Sequence, residues 1–245
     1  MRSILLAFVV FAGCGAPCGG GSAASSWTLS NGAVTVEIAG APYGFVVKDA
    51  TGRVVLATAG AGAGDGYGSI GWTSGQIFLA DIADPGYYSF DSALDPWRDE
   101  LHVTGASVTS DDVELTLAPA HGSGCVHVSH LLRQSALRVE ARVDHLGRSD
   151  GAPRAWEAAF ATPADEAFLG FGERFDRVDQ RGLSLYSWPE EGGLAQNEAT
   201  PASATNPWPN GETMTYYPVP FFLSTAGYAF WLDSTWRNQF DLASD

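Results

Sequence analysis

The feature that most constrains the fold of this chain is a two-residue hydrophobic period, which runs from Trp27 onward with almost no helical periodicity. Residues 137–143 show it clearly, because Leu, Val, Ala and Val alternate with Arg, Glu and Arg, as in a strand with one buried and one solvated face. Turn-forming sequences, such as the Asn-Gly pair at 31–32 and residues 49–52, separate these runs. The pattern predicts an all-β fold, a large antiparallel two-sheet β-sandwich that forms one domain over 27–245.

The charge balance excludes one class of partner. The chain has 13 basic and 28 acidic residues among 245, which gives a formal net charge of −15, and no basic stripe stands out. A net negative field of this size repels phosphate backbones, so we do not expect nucleic acid to bind. The same acidity keeps an exported protein soluble and is compatible with a neutral sugar ligand.

The first 13 residues have the composition of an export leader. Arg2 gives a positive start, and 4–12 is an apolar run too short for a stable transmembrane anchor. The run ends in small residues directly before Cys14, which resembles a bacterial lipoprotein cleavage box, where the cysteine becomes the lipidated N-terminus. We therefore expect a lipoprotein-type signal peptide over 1–13, a flexible Gly/Ala/Ser tether over 14–26 and membrane anchoring through Cys14. The alternative is an ordinary secretory signal that is cut nearby. In either case we expect an exported protein, as a lipoprotein of the bacterial cell envelope or as a secreted or periplasmic protein.

Two further cysteines and a histidine pair complete the candidates for covalent or metal chemistry. Cys18 lies in the tether, and Cys125 lies in a strand pattern far downstream. We prefer to interpret Cys125 as a small buried apolar residue, and the alternative is a disulfide between Cys18 and Cys125 in an oxidising envelope. His127 and His130 fall in one strand pattern at an odd offset, which places them on opposite faces and excludes a shared metal ion. We expect one solvent-facing histidine, one packed histidine and no metal site.

Two segments carry a resemblance to a known family. Residues 168–182 read FLGFGERFDRVDQRG, and residues 216–242 read YYPVPFFLSTAGYAFWLDSTWRNQFDL. They resemble the GFGE strand, the RG turn and the PFFLS hairpin that end the N-terminal domain of glycoside hydrolase family 31, the α-glucosidase and α-xylosidase family. The resemblance implies a galactose mutarotase-like supersandwich over 27–245, followed in the family by a catalytic (β/α)8 barrel. We expect the aromatic side chains of the second segment to fill the core and a surface that faces the barrel.

The resemblance also implies where the chemistry resides. Family 31 enzymes hydrolyse α-linked glycosides with retention, through two aspartates of the barrel, one of them in a W-x-D-M-N-E type motif, and they need no metal or organic cofactor. This sequence contains no such motif. We therefore expect no catalytic residue within it and predict that the chain alone is inactive. Its implied partners are the missing barrel and an α-glycoside.

One contribution to substrate binding follows from the resemblance. In the family, the loop after the RG turn reaches the mouth of the barrel, and here that loop begins at 187–193. We expect Trp188 to stack on a sugar ring and Glu190 or Glu191 to accept hydrogen bonds from hydroxyls. The alternative is an exposed acidic turn with Trp188 packed on the domain edge. Beside the GFGE glycines, we expect Glu173 to be structural, in a buried or half-buried ion pair with an arginine.

Two other functions stay open. One is a stand-alone carbohydrate-binding module of the cell envelope. The other is a mutarotase-like aldose epimerase, because the sandwich is similar. That reaction needs a histidine and a carboxylate that face each other in the concavity of the sheet, and fold similarity alone does not supply them.

Overall fold

A computed structural model of the chain describes residues 4–12, 26–59, 69–84, 87–94, 96–98, 101–120, 124–134, 136–144, 153–174, 176–189, 193–194, 210–211 and 215–244. Only the backbone is described for 4–12, 78–84, 87–90, 142–144, 193–194 and 210–211. Five residues named above lie outside the described set: Arg2, Cys14, Cys18, Glu190 and Glu191.

The described residues form 21 β-strands and no α-helix, which confirms the predicted all-β fold. In chain order the strands are β1 (Ile4–Ala12), β2 (Ser26–Ser30), β3 (Val34–Gly40), β4 (Tyr43–Asp49), β5 (Val54–Thr58), β6 (Gly71–Thr73), β7 (Gly75–Asp84), β8 (Tyr87–Leu94), β9 (Leu101–Val108), β10 (Asp112–Pro119), β11 (Cys125–Arg133), β12 (Ala136–Asp144), β13 (Ala155–Glu157), β14 (Phe160–Ala161), β15 (Phe168–Gly172), β16 (Ser184–Ser187), β17 (Gly193–Leu194), β18 (Asn210–Gly211), β19 (Pro218–Ser224), β20 (Tyr228–Leu232) and β21 (Asn238–Asp241). Within the described ranges, the chain has no helix with the length and apolarity that a bilayer crossing needs.

The chain divides into two compact units. The first comprises 1–76 and 93–162, and the second comprises 77–92 and 163–245. β7 and β8 pair with each other and lie mostly in the second unit. The expected single domain over 27–245 stays a prediction.

The first unit is a β-sandwich of two sheets. One sheet has the order β14-β5-β4-β3-β2, and the other contains the run β1-β12-β11-β10-β9. β4 contacts β9 and β2 contacts β10, so the apolar faces of the two sheets meet in a shared core. Its side chains, each at most 3% exposed, include Val36, Ile38, Phe45, Val47, Leu115, Leu117, Val128, Leu137 and Val139. β6 and β13 form a short antiparallel ribbon in the same unit.

The alternation at 137–143 has the predicted consequence in β12. Leu137 and Val139 are fully buried, whereas Arg138 between them is exposed. Arg138 forms a 3.1 Å ion pair with Glu140 on the solvated face of the strand. The sequence period therefore predicts correctly which face of this strand enters the core.

The predicted leader residues are placed in β1. This strand runs parallel to β12, from the pairing of Leu5 with Ala136 to the pairing of Ala12 with Val143. An uninterrupted apolar run is typical both of an export leader and of a strand that is buried on both faces. The placement of 4–12 in a strand therefore does not decide whether these residues form a leader. The signal peptide over 1–13 stays a prediction.

Two predicted turns join strands of the first sheet. Between β2 and β3, the Asn31 carboxamide oxygen accepts hydrogen bonds from the backbone N–H groups of Ala33 and Val34, and Gly32 has a φ of +82°. The turn at 49–52 joins β4 to β5 in the same way, through the Asp49 carboxylate. Side-chain oxygens that bind the backbone two or more residues on are typical of such turns.

The second unit has a core of phenylalanine rings. β15, β19 and β20 form an antiparallel sheet, and β16 pairs antiparallel with β21. The Phe222 ring is stacked on Phe171 at 5.1 Å and on Phe230 at 5.2 Å between centroids. Phe168 and Phe240 meet the Phe222 ring edge-on. The cluster fastens β15 and β21 to the β19–β20 hairpin, and this brings together the two segments that carry the family resemblance.

Candidate functional site

The site region begins at a sharp bend at the end of β15. Gly170, Phe171 and Gly172 have φ values of +137°, +68° and +86°, and the pairing with β19 shifts its register here. A Cβ on Gly172 would lie 2.1 Å from the carbonyl oxygen of Tyr217, so only glycine fits. The left-handed conformation of Phe171 turns its ring into the phenylalanine core, where it is 1% exposed. The chain therefore leaves the sheet directly after Gly172.

This bend corrects the expectation for Glu173. The Glu173 side chain is exposed, so the predicted buried or half-buried ion pair is wrong for this residue. The neighbouring Arg174 is half-buried and forms hydrogen bonds to the backbone. Its Nε donates to the carbonyl oxygen of Phe171 at 3.2 Å, and its Nη2 donates to the carbonyl oxygen of Tyr186 at 2.9 Å. The arginine thus connects the bend to β16.

The RG turn has a structural role. The Arg181 guanidinium donates to the carbonyl oxygens of Pro163 and Glu166, both at 3.0 Å. The backbone N–H of Gly182 donates to the carbonyl oxygen of Leu242 at 2.8 Å. These bonds set the direction in which the chain enters β16.

Trp188 follows β16 directly and is half-buried. Its strand is held by the pairing with β21, in which Ser187 lies opposite Asn238. The guanidinium carbon of Arg237 lies 3.7 Å from the centre of the Tyr186 ring, a close cation–π contact. Of the three predicted sugar-binding residues, the structure describes Trp188 alone, because Glu190 and Glu191 lie outside the described residues.

A cavity of about 340 Å³ opens beside the bend, lined by Gly170, Gly172, Arg174, Asp176, Arg177 and Val178. Asp176 accepts a 3.3 Å hydrogen bond from the carboxamide of Gln180 through Oδ1, and its Oδ2 is buried with no hydrogen-bond partner among the described residues. Gln180 is only 1% exposed, and its Oε1 atom is also buried with no hydrogen-bond partner among the described residues. Sequence reasoning did not single out Asp176 or Gln180, because isolated polar residues in a turn have no diagnostic spacing.

Residues 83–241, which include this bend, the RG turn and the start of the Trp188 loop, match the family model described as the glycosyl hydrolase 31 N-terminal galactose mutarotase-like domain. The chain belongs to this family.

Two curated proteins resemble parts of this family 31 domain. An isomaltosyltransferase from Sporosarcina globispora is 29% identical over 89 residues, which is 36% of this chain and 7% of that protein. The α-xylosidase XylQ from Lactiplantibacillus pentosus is 27% identical over 81 residues, which is 33% of this chain and 8% of that protein. The chain therefore matches less than a tenth of the length of either relative.

Solved structures of similar proteins cover most of the chain. A family 31 dextranase from Flavobacterium johnsoniae, complexed with glucose, has a TM-score of 0.37 and 14% identity, and the similarity covers 91% of this chain and 16% of the dextranase chain. A cycloalternan-forming enzyme from Listeria monocytogenes, in complex with a pentasaccharide substrate, has a TM-score of 0.29 and 17% identity, over 86% of this chain and 21% of that enzyme.

The two histidines of β11 in this family 31 domain lie on opposite faces of the strand, as the alternation of the sequence predicts. His130 is fully buried, whereas His127 is half-buried on the opposite face and lies 3.2 Å from the hydroxyl of Thr116. Burial lowers the pKa of His130 to about 4, so its ring is neutral at physiological pH. Within the described ranges, no three His, Cys, Asp or Glu side chains are grouped to hold a metal ion.

Cys125 corrects a second expectation. The residue is 0% exposed, as predicted, but it is disulfide-bonded, so the preferred interpretation as a small apolar residue is wrong. The sequence pattern could not decide this point, because a disulfide depends on which distant segment approaches the strand.

Proposed function

We propose that this family 31 domain belongs to an exported α-glycosidase and that the loop which begins at Trp188 forms one wall of its sugar-binding site. The observation that carries the proposal is the family match over 83–241, which spans the whole region from the bend to β21. Two relatives, an isomaltosyltransferase and an α-xylosidase, are named for sugars on which they act. Both relatives are much longer than the segment that they share with this chain. We therefore assign the hydrolytic step to the catalytic barrel that follows this domain in the family, and not to the residues of this chain.

The local geometry supports a binding role for the start of the loop. Trp188 follows a strand that is fixed by β21 on one side and by the Arg174 bond to Tyr186 on the other. An aromatic ring on a fixed backbone can stack on a sugar ring with little loss of conformational entropy. Half-burial of Trp188 leaves part of the indole accessible for such a contact.

Export and anchoring form part of the proposal and rest on the sequence. The leader over 1–13 ends before Cys14, whose sulfur would carry the lipid. Anchoring through Cys14 would place the domain at the surface of the membrane, with the tether over 14–26 between lipid and sandwich.

Hydrolysis of p-nitrophenyl α-glucoside and α-xyloside tests the enzymatic part. We expect no turnover by this chain alone and clear turnover by a full polypeptide in which a family 31 barrel follows the domain. In that polypeptide, Trp188→Ala should lower kcat/KM by about tenfold or more, because a stacking contact is lost. Trp97→Ala removes an exposed indole of the first unit, outside the segment that is expected to face the barrel, and serves as the matched control.

Three results would contradict the proposal: robust turnover by the 245-residue chain, no turnover by the full polypeptide, or equal effects of the two tryptophan substitutions. Anchoring is tested separately by fractionation of expressing cells. The protein should be found with membranes, and Cys14→Ser should release it.

A further inference from the structure

Trp188 shares one face of the β16–β21 ribbon with other side chains. Along β16, Leu185 and Ser187 are buried, whereas Tyr186 and Trp188 alternate with them and are half-buried. Successive side chains of an extended chain point to opposite faces, so Tyr186 and Trp188 emerge on the same outer face of the ribbon. A ligand on the indole would therefore meet more than one side chain.

Arg237 occupies the neighbouring position on this outer face. The antiparallel pairing of β16 with β21 ends with Ser187 opposite Asn238. The next two residues in the same register are Trp188 and Arg237, so these side chains are cross-strand neighbours. The Arg237 side chain is exposed, and its guanidinium carbon lies 3.7 Å from the centre of the Tyr186 ring, which is diagonally opposite.

The contact with Tyr186 holds a hydrogen-bond donor beside the indole. A cation–π contact as close as this one restrains the guanidinium. The group has five N–H donors in a rigid fork, so it can keep its contacts with the protein and still donate to a ligand. The Nε1 atom of Trp188 is buried, so the part of the indole that a ligand can reach is the part remote from this atom. Aromatic surface with a few placed polar groups is the usual composition of a small-molecule site.

We propose that Arg237 determines the specificity of this site: while a sugar ring stacks on Trp188, the guanidinium donates hydrogen bonds to two neighbouring hydroxyl oxygens at the edge of that ring. The proposal rests on the sugar-binding role of Trp188 proposed above.

The chemistry of the arginine defines the class of sugar. Its fork of N–H groups matches a pair of oxygens, which favours sugars with two free vicinal hydroxyl groups over sugars in which one of them is absent or substituted. A neutral sugar fits better than an anionic one, because the net charge of the chain is −15 and repels anions. Arg237 thus selects a neutral α-glycoside by the hydroxyl pattern of the ring that lies on Trp188.

Deoxy substrates separate a contact with the sugar from a structural role of Arg237. The full polypeptide, in which a family 31 barrel follows the domain, is assayed with p-nitrophenyl α-glucoside and with its monodeoxy analogues, each of which lacks one hydroxyl group. We expect Arg237→Gln to lower kcat/KM for the glucoside by about tenfold or more, because hydrogen bonds from a charged donor are lost. The same substitution should have a clearly smaller effect on the analogues that lack one of the bound hydroxyl groups.

Two further variants complete the experiment. Arg154→Gln changes an exposed arginine of the first unit and is the matched control, which should leave kcat/KM within about twofold of the wild type. Tyr186→Leu removes the ring that holds the guanidinium and should reproduce the substrate dependence of Arg237→Gln. Thermal unfolding of each variant checks that the domain is folded, and the exposure of Arg237 leads us to expect an unchanged midpoint for its variant.

The results distinguish this proposal from the function on which it rests. Wild-type kcat/KM in Arg237→Gln would overturn the role of Arg237, and so would an equal loss on the glucoside and on every analogue, which would mean that Arg237 acts only on the position of the strand. In both cases a loss of activity in Trp188→Ala would leave the sugar-binding role of the loop intact. No turnover by the full polypeptide, or no effect of Trp188→Ala, would overturn both proposals.

Discussion

The hydroxyl oxygen of Tyr43 lies 2.8 Å from Nε2 of His130, and this bond joins the two sheets of the sandwich through its core. On the other side of the ring, Nδ1 of His130 lies 3.4 Å from the carbonyl oxygen of Val113, which can only accept. The neutral imidazole therefore carries its proton on Nδ1, and Tyr43 donates to Nε2. Burial raises the pKa of Tyr43, which keeps that proton on the phenol.

Loss of this single hydroxyl should weaken the sandwich. Tyr43→Phe leaves Nε2 of His130 as a buried acceptor without a donor, so we expect the free energy of unfolding to fall by about 1–2 kcal/mol in urea titrations. Tyr217→Phe changes a side chain that is 70% exposed and should have an effect of at most about 0.5 kcal/mol. Equal stability of the two variants would contradict the assigned role of the bond.

His130 should also make the free energy of unfolding depend on pH below about 6.5. The pKa of His130 is about 4 in the folded chain, against about 6.5 when unfolded, so between these values the unfolded chain binds more protons. Stability should therefore be highest above pH 6.5 and fall by up to about 3 kcal/mol as the pH decreases to 4. Urea titrations across this range measure the slope, and His130→Phe should reduce it by about one proton. An unchanged slope in that variant would refute the linkage.

The bend at β15 should be far more sensitive to substitution than an ordinary glycine turn. Gly172 and Gly52 have φ values of +86° and +84°, but a Cβ on Gly172 would meet backbone at 2.1 Å, whereas one on Gly52 would meet nothing within 4 Å. Gly52→Ala should cost about 1–2 kcal/mol, the penalty for the left-handed conformation alone. Gly172→Ala should cost clearly more or prevent folding of the second unit, as measured by thermal unfolding and by soluble yield. Similar losses for the pair would show that the close approach to Tyr217 does not matter.

Reduction of the disulfide should destabilise the first unit. A native disulfide that closes a long loop stabilises the folded state by about 2–4 kcal/mol, so a reductant should lower the urea midpoint by a corresponding amount. Cys125→Ser should have the lower midpoint already, and the reductant should then have no further effect. A midpoint that does not respond to reductant in the wild type would be incompatible with the bond at Cys125.

Local patterns predicted the parts of this fold that depend on neighbouring residues. The alternation at 137–143 identified the buried face of β12, and the Asn-Gly pair at 31–32 identified a hairpin, because both depend on a few adjacent backbone conformations. Glu173 was misassigned for the converse reason. The sequence reads as a continuous strand there, but the strand ends at a left-handed bend, where Gly170 and Gly172 lie directly against the backbone of the β19 segment. Such an approach between distant segments is not visible in the local sequence.

The candidate site was predicted less completely, because its geometry depends on distant residues. Trp188 was found through the family resemblance, but the contacts that fix its strand come from Arg174 and β21. The cavity beside Asp176 and the disulfide at Cys125 exist only after folding brings separate segments together.

The ribbon of β16 and β21 has a consequence for how such domains diversify. Because Tyr186 is held by Arg237 and bonded through its carbonyl oxygen to Arg174, the backbone that leads into Trp188 is fixed independently of the residues beyond Pro189. Under the proposed function, insertions or substitutions beyond Pro189 would change the sugar that is bound, while the strands that carry the loop keep their contacts. A new specificity could then evolve without a change in the core of the domain.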